Sequence, residues 1–259
     1  IIVKFKALKG EYMFELESVY ADYLNKKQEE HKEKYKGYEG WHSASQAGSC
    51  FKKLKLREEK TPEPSMEDRV MRLLRLGTIV HSDIEESIIE YMKKDDYNDP
   101  KNNDTIYIEK KVEVPEFKVL GHLDIAIFNK EYKIAKIIDV KTCGSYPWKM
   151  KFGRKPDPNA NTNYNLQLAT YSYAFSEEMG VSQDDMEMSL FWYNKDTSAV
   201  REIIVHNSWI EKALEYWEDL REYTENTNSE DLEVGSYGVP MSNWECRYCG
   251  FKDIHCKGV

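Results

Sequence analysis

The chain has 259 residues, of which 41% are hydrophobic and 32% are charged, and its formal net charge is −9 at pH 7. This composition is typical of a soluble globular protein with one large domain, and no apolar run is long enough to span a bilayer. The negative net charge excludes a protein that coats nucleic acid nonspecifically, because a negative surface repels phosphate, but it allows an enzyme with a local basic groove. Residues 1–10 lack a signal-peptide pattern, so we expect an intracellular, cytoplasmic protein.

The first half of the chain predicts two helices followed by three strands. Apolar side chains recur at helical spacing in residues 11–36 and again in residues 65–93. Residues 105–114, 118–128 and 133–142 are rich in Val, Ile and Tyr, which predicts three strands. The second and third of these strands are separated by a short polar turn, so we expect them to form a hairpin.

The second half of the chain returns to alternating helices and strands. Residues 143–163 are rich in Gly, Pro and Asn and carry several basic side chains, which predicts a mobile, basic loop. A helix at 164–179, strands at 186–193 and 200–205, and a helix at 208–224 follow. The order of these elements predicts an α/β fold with a mixed central sheet flanked by helices.

The predicted elements divide the chain into three segments. We expect residues 1–64 to be a helical N-terminal segment and residues 65–225 to be the α/β core. Residues 226–259 are irregular and rich in cysteine, and we expect this C-terminal segment to pack on the N-terminal part.

Two carboxylates and a lysine lie on neighbouring predicted strands. Asp124 ends the run Gly-His-Leu-Asp in one strand, and Asp139 and Lys141 lie two residues apart in the next. Side chains alternate across a strand, so Asp139 and Lys141 share a face, and antiparallel pairing would bring Asp124 beside them. Two buried carboxylates need a neutralising cation, and oxygen ligands suit Mg²⁺ or Mn²⁺, which activate water for phosphodiester hydrolysis. The alternative is a plain salt bridge at a sheet edge, since Asp-x-Lys is a common pattern.

Three residues on predicted helices extend this set. His81 lies on an apolar helix face and is either a packed core residue or a metal ligand through a neutral imidazole. Gln167 and Tyr171 share one helix face, where they either pack or hydrogen-bond a DNA phosphate or Lys141 and its water. Glu85 and Glu109 lie near these motifs, and we expect solvated or structural roles for both.

A helical histidine, a Gly-x-x-Asp strand, an Asp-x-Lys strand and a Gln-x-x-x-Tyr helix occur here in this order. The series resembles the RecB-like branch of the PD-(D/E)XK nucleases, which implies a restriction-endonuclease-like core. The resemblance implies that a divalent cation has four ligands: His81, Asp124, Asp139 and the Val140 carbonyl. It also implies that Lys141 is catalytic and that Gln167 and Tyr171 support the site.

The C-terminal segment holds three cysteines with the spacing of metal ligands: Cys246, Cys249 and Cys256. A tetrahedral site needs a fourth ligand, and spacing alone does not separate an iron–sulfur cluster from zinc. Cys50 and Cys143 are both available as that ligand, and His255 offers a zinc alternative.

The resemblance favours Cys50 as the fourth ligand. CRISPR-associated RecB-like exonucleases and AddB-type helicase–nuclease subunits carry one cysteine before the nuclease core and three after it, and these four hold a [4Fe–4S] cluster. A structural cluster is therefore implied here, with zinc as the alternative, and we expect Cys143 to be a free, partly buried thiol.

The leading functional prediction is a DNA exonuclease that acts on single-stranded or frayed ends. Its pathway would be recombination, repair, phage DNA processing or spacer acquisition, with protein partners from that pathway. The alternatives are an endonuclease of the same fold, a noncatalytic DNA-binding adaptor subunit and a redox-sensing iron–sulfur protein. A group of residues in the predicted loop is either a platform for single-stranded DNA or a solvated surface: Trp148, Lys149, Lys151, Arg154 and Lys155.

Overall fold

The computed structural model describes residues 15–33, 35–93, 103–226 and 243–255 of the chain. Its strands form a six-stranded mixed sheet. The strands are β1 His42–Ser43, β2 Asp104–Val114, β3 Val119–Asn129, β4 Ile134–Cys143, β5 Met186–Asn194 and β6 Val200–Val205. They pair in the order β1-β3-β4-β5-β6, and β2 pairs with β3. The β1–β3 and β4–β5 pairs are parallel and the others are antiparallel, which confirms the predicted mixed sheet.

Seven α-helices accompany the sheet in the described residues. They are α1 Leu16–Glu33, α2 Phe51–Glu58, α3 Asp68–Met92, α4 Ser145–Phe152, α5 Thr162–Met179, α6 Ser208–Asn226 and α7 Asn243–Arg247. Helices α3, α5 and α6 and the five longer strands agree closely with the predicted positions. Across the described ranges, no helix combines the length and the apolar character that a membrane span requires.

The chain forms two compact units by its contacts. Among the described residues, the first comprises residues 15–33, 35–39 and 66–76, and the second comprises residues 40–65, 77–93, 103–226 and 243–255. In the first unit, the Arg75 guanidinium lies 5.9 Å from the centre of the Tyr23 ring. The second unit contains the whole sheet and its flanking helices. The predicted boundaries at residues 64 and 225 stay predictions.

Helix α5 is the main contact of the sheet. Its central turns are buried, and Phe175 packs edge-on against Phe128 of β3 at 6.1 Å between ring centres. Helix α6 packs on α5, where the Trp217 indole N–H donates to Thr170 Oγ1 at 2.8 Å. Each of these buried aromatic side chains contributes about 2–3 kcal/mol to folding. The packing of α5 and α6 on the sheet fixes the positions of the strand ends, where the predicted site residues lie.

The prediction of a mobile loop at residues 143–163 is wrong for its first part, because α4 occupies Ser145–Phe152. The Ser145 N–H donates to Asp196 Oδ2 at 2.6 Å, which satisfies one free donor of the first turn. Trp148 and Phe152, one turn apart, stack edge-on at 4.7 Å and pack against the core. The proline of this helix lies in the first turn, where a backbone N–H would have no helical partner, so it does not prevent the helix from forming. The tertiary contacts therefore outweigh the loop-like composition.

Candidate active site

Strands β3 and β4 part at the point where the predicted acidic residues lie. Their antiparallel ladder runs from Asn129–Ile134 to Ile125–Ile138 and ends there. Beyond the ladder, Asp124 Oδ2 accepts a hydrogen bond from the backbone N–H of Val140 at 2.6 Å. We call this opening the fork, and define it as residues 121–124 of β3 and 139–141 of β4.

The side chains of Asp139 and Lys141, on the same face of β4, form an ion pair inside the fork. The Lys141 ammonium lies 2.7 Å from Asp139 Oδ2. Asp139 is 1% exposed, and its Oδ1 has no hydrogen-bond partner among the described residues. A buried carboxylate oxygen with free lone pairs is costly unless a ligand binds it, and a hard divalent cation suits it.

Burial acts on the pKa of all three charged groups in the fork. It raises the pKa of Asp124 to about 6, although Lys141 and the Val140 N–H act in the opposite direction. It also raises the pKa of Asp139 to about 6, with Lys141 opposing and Asp124 adding to the rise. Burial alone would lower the pKa of Lys141, but Asp139 and Asp124 outweigh it and raise that pKa. The lysine therefore stays protonated at neutral pH.

His81 reaches the fork because α3 approaches β4 closely. A Cβ added at Gly77 would lie 3.1 Å from Thr142 Oγ1, so a larger residue there would push the helix away from the strand. His81 follows one turn later, and its Nδ1 lies 3.7 Å from Asp124 Oδ2. Burial, followed by the charge of Lys141, lowers the pKa of His81, which favours a neutral imidazole with a free lone pair.

Gln167 and Tyr171 meet on α5 and cover the beginning of the fork. The Gln167 amide donates to the Tyr171 hydroxyl at 2.9 Å, and both side chains are buried. A Cβ added at Gly121 would lie only 2.6 Å from the Tyr171 ring and 3.1 Å from Ala44. The glycine of the Gly-x-x-Asp run is therefore needed because a tyrosine ring rests directly on it.

Tyr164 is a residue of the site that the sequence reasoning missed. The Lys141 ammonium lies 5.7 Å from the centre of its ring, and the Lys151 ammonium lies 4.7 Å from the same centre. Its position three residues before Gln167 and seven before Tyr171 puts it on the same face of α5, and this spacing was visible in the sequence.

Lys151, one of the predicted DNA-binding residues, is held inside the structure instead. Its ammonium lies 4.4 Å from the centre of the Trp192 ring and donates to Ala160 O and, at 2.9 Å, to Asn161 Oδ1. Burial lowers its pKa to about 8. Trp148 is partly buried against the core, so both side chains are engaged in packing within the protein.

Glu109 distorts β2 directly beside the fork. Its neighbours pair as Ile108–Ile125 and Lys110–Leu123, so Glu109 stands opposite Asp124 in register. Its φ of 50° lies in the left-handed region, where any residue other than glycine lowers the stability of the fold by about 1–3 kcal/mol. Glu109 is exposed, in agreement with the solvated role expected for it, and its charge adds to the rise in the pKa of Asp124.

A carboxylate joins the two cysteine-bearing parts of the second unit that lie within the described residues. Cys50 precedes α2 and Cys246 lies in α7, and both are buried. Glu245 Oε1 accepts hydrogen bonds from the Cys50 N–H and from the Lys53 ammonium, each at 3.3 Å. These contacts hold α7 against the beginning of α2.

The thiol of Cys50 has neighbours that favour a thiolate and neighbours that oppose it. Burial raises its pKa and the charges of Glu245 and Cys249 add to that rise, whereas the backbone N–H groups of Lys53 and Lys52 lower it. A bound cation would remove the burial penalty and leave the N–H donors in place. Cys143 is a free, buried thiol, close to what was predicted.

Cys256 lies outside the described residues, so the four-thiolate set stays a prediction. Within the described ranges, no group of three His, Cys, Asp or Glu side chains is arranged to hold a metal ion. This applies to the cysteines and also to the set of His81, Asp124 and Asp139, whose roles as ligands stay predictions.

Comparison with known proteins gives one family match. A family model described as the PD-(D/E)XK nuclease superfamily matches residues 42–256, which include the fork and both Cys50 and Cys256. Among solved structures, SSO0001 is 21% identical with a TM-score of 0.48, and the match covers 90% of this chain and 94% of that one. The alkaline exonuclease LHK-Exo from Laribacter hongkongensis is 12% identical with a TM-score of 0.46, and 75% and 92% are covered. No curated protein matches the chain significantly.

Proposed function

The chain belongs to the PD-(D/E)XK nuclease superfamily, and from that premise we propose that it is a metal-dependent deoxyribonuclease that degrades single-stranded or frayed DNA from its ends. The convergence of Asp124, Asp139 and Lys141 in the fork carries this proposal. The ion pair with Lys141 leaves Asp139 Oδ1 buried without a hydrogen-bond donor among the described residues, and a bound cation would satisfy that oxygen.

Mg²⁺ or Mn²⁺ would be held by four groups of the fork and α3: His81, Asp124, Asp139 and the Val140 carbonyl. The unpaired oxygen of Asp139 and the lowered pKa of His81 fit this donor set, because cations need deprotonated ligands. When bound, such a cation supplies Lewis-acid polarisation of the phosphate and lowers the pKa of nearby water.

Lys141 has the central catalytic role in this proposal. Its protonated ammonium, held beside Asp139, would orient the attacking water and stabilise the charge that develops on phosphate oxygens. Tyr164 restricts the lysine from one side. Gln167 and Tyr171 would support the site by holding β3 in place at Gly121.

We further propose a structural [4Fe–4S] cluster, with zinc as the alternative, bound by Cys50, Cys246, Cys249 and Cys256. Glu245 supports this proposal because it holds α7 against Cys50 through protein contacts alone. Such a cluster and the free thiol of Cys143 both suit a reducing, cytoplasmic compartment. DNA is the proposed substrate, and partners from recombination, repair or spacer acquisition fit it.

Metal binding is expected to weaken as the pH falls through about 6. Asp124 and Asp139 both have a pKa of about 6 without a cation, so each takes up a proton below that pH and loses its charge. With a pKa of about 6, each carboxylate weakens binding by about fivefold between pH 6 and pH 5, so the Kd for Mn²⁺ should rise by about 30-fold over that range. Mn²⁺ titrations followed by electron paramagnetic resonance measure this, and the Asp139→Asn variant should show about half the logarithmic slope.

The sign of this dependence follows from the protons bound. An aspartate whose pKa is raised by folding favours the folded state below its unfolded pKa of about 4, and that contribution is lost as the pH rises through about 6. A cation reverses this loss above pH 6. A Kd that does not change between pH 7 and pH 5 would exclude these carboxylates as ligands.

The choice between ends and internal sites is tested with two single strands of the same sequence. With Mn²⁺ or Mg²⁺, a linear end-labelled strand should be degraded, and its covalently closed circular form should persist for at least about tenfold longer. Equal rates on both would assign an endonuclease. Binding of both strands without hydrolysis would assign a noncatalytic adaptor.

A further inference from the structure

Helix α4 follows the strand that carries Asp139 and Lys141, and protein contacts hold both of its ends. It begins two residues after β4 ends, and the carboxylate of Asp196 holds its first turn through the Ser145 N–H at 2.6 Å. Its inner face packs through Phe152, whose ring centre lies 6.2 Å from that of Trp192. Because both ends are held, the position of the outer face is fixed relative to β4.

The outer face of α4 is aromatic and basic. Tyr146 is 75% exposed, and Lys149 and Met150, which follow at i+3 and i+4, are also exposed. Arg154 and Lys155 extend the exposed positive charge directly after the helix. This local charge is opposite in sign to the net charge of the chain, −9, and it is complementary to a phosphate backbone.

The ring of Tyr164 connects helix α4 to the fork. Lys141 of β4 and Lys151 of α4 contact the Tyr164 ring at 5.7 and 4.7 Å from its centre. Tyr146 precedes Lys151 by five residues, which is about 140° around the helix, so its ring points away from Tyr164 and towards solvent. Tyr146 is the fifth residue after Lys141 along the chain, so their Cα atoms lie at most about 18 Å apart. This is about five stacked nucleotides of one strand.

We propose that Tyr146 is a stacking platform for a base of the single-stranded substrate, and that Lys149, Arg154 and Lys155 bind the phosphates beside it. This inference rests on the proposed function and specifies which surface holds the strand. A tyrosine on a fixed helix loses little conformational entropy when a base stacks on it, and stacking tolerates any sequence. The flanking positive charges favour a nucleic acid strand over an apolar protein segment on the same face.

The chain offers a matched control for this residue. Tyr132 is 68% exposed and lies in the turn that precedes β4, at the end of the strand opposite to Tyr146. Tyr146→Ala should raise the Kd for a labelled single strand by about 5- to 100-fold, whereas Tyr132→Ala should leave it within about twofold of the wild type. Fluorescence anisotropy in buffer free of divalent cations measures binding without hydrolysis. Tyr146→Phe should retain most of the affinity, since stacking needs the ring and not the hydroxyl.

Abasic substitutions locate the stacked base. A set of strands, each lacking one base within about five nucleotides of the cleaved end, should contain one position that weakens binding by the wild type but not by Tyr146→Ala. Equal affinities of Tyr146→Ala and Tyr132→Ala in a protein that cleaves DNA would overturn the platform alone. An equal loss for blunt duplex and single strand would overturn its single-strand assignment. A wild type that neither binds nor cleaves DNA would overturn the proposed function itself.

Discussion

Replacing Lys141 with methionine is expected to lower the rate of DNA hydrolysis by about 10³-fold. Lys141 keeps its charge at neutral pH because Asp139 and Asp124 raise its pKa against the effect of burial. A preorganised donor in a water-excluded site is worth far more than the same group in water, and methionine retains the length of the side chain while removing the charge. Single-turnover cleavage of an end-labelled strand at saturating protein measures the chemical step without interference from binding.

The same strand provides a control for this substitution. Lys136 also lies on β4, where it forms two ion pairs at 2.8 Å with Glu187 and Glu202. These pairs are partly exposed and contribute little to stability, so Lys136→Met should cleave within about twofold of the wild type. A Lys141→Met protein that retains more than about a tenth of the wild-type rate would remove the catalytic role of Lys141. Thermal melting of both variants shows whether each is folded under the conditions of the assay.

The fork could be predicted because two short-range rules act together there. Residues alternate across a strand, which places Asp139 and Lys141 on one face, and a short turn between β3 and β4 fixes an antiparallel register. Continuing that register beyond Ile125–Ile138 puts Asp124 opposite Asp139. The end of the ladder at this point was not predictable, because it depends on Asp124 replacing a backbone acceptor for the Val140 N–H.

Helix α4 and the position of Lys151 show where local rules fail. Glycine, proline and asparagine around this segment are typical of a loop, and they predicted one. What stabilises the helix is distant in sequence: Asp196 binds its first turn, and Trp192 of β5 receives both Phe152 and the Lys151 ammonium. Contacts of this kind are decided by tertiary packing, so the basic residues could not be sorted into buried and exposed ones from the sequence.

The contacts of Glu245 near the cysteines also depend on tertiary packing and could not be predicted from spacing. The spacing of the three C-terminal cysteines predicted a metal site, but it did not predict a carboxylate between them and Cys50. Glu245 is 7% exposed and bridges the Cys50 N–H and Lys53. Protein contacts alone therefore bring Cys50 towards α7, and a metal bound there would strengthen an approach that already exists.

Replacing Cys249 with alanine is expected to remove the bound metal and to lower the Tm by about 10–20 °C. A bridge from Cys50 to the C-terminal segment closes a loop of about 200 residues, and such a closure contributes about 5 kcal/mol by restricting the unfolded chain. For a chain of this size, that free energy corresponds to the stated shift in Tm. Metal analysis and thermal melting of anaerobically purified protein measure both effects. A broad visible absorbance band that disappears in the variant would identify iron–sulfur, whereas a colourless wild type containing zinc would identify zinc.

Cys143→Ala is the matched control for the proposed metal-bound bridge from Cys50 to the C-terminal segment. Cys143 is buried and free, whereas Cys249 is only partly buried, so packing loss alone would make Cys143→Ala the more damaging substitution. The metal-bound bridge predicts the reverse order, because only Cys249→Ala opens the loop and releases the metal. If both variants keep the wild-type metal content and Cys143→Ala melts at the lower temperature, the C-terminal segment is held by Glu245 and its neighbours without a cluster. DNA hydrolysis at the fork would then not depend on a cluster, because the hydrogen bond from the Val140 N–H to Asp124 and the ion pair of Asp139 and Lys141 hold the fork together.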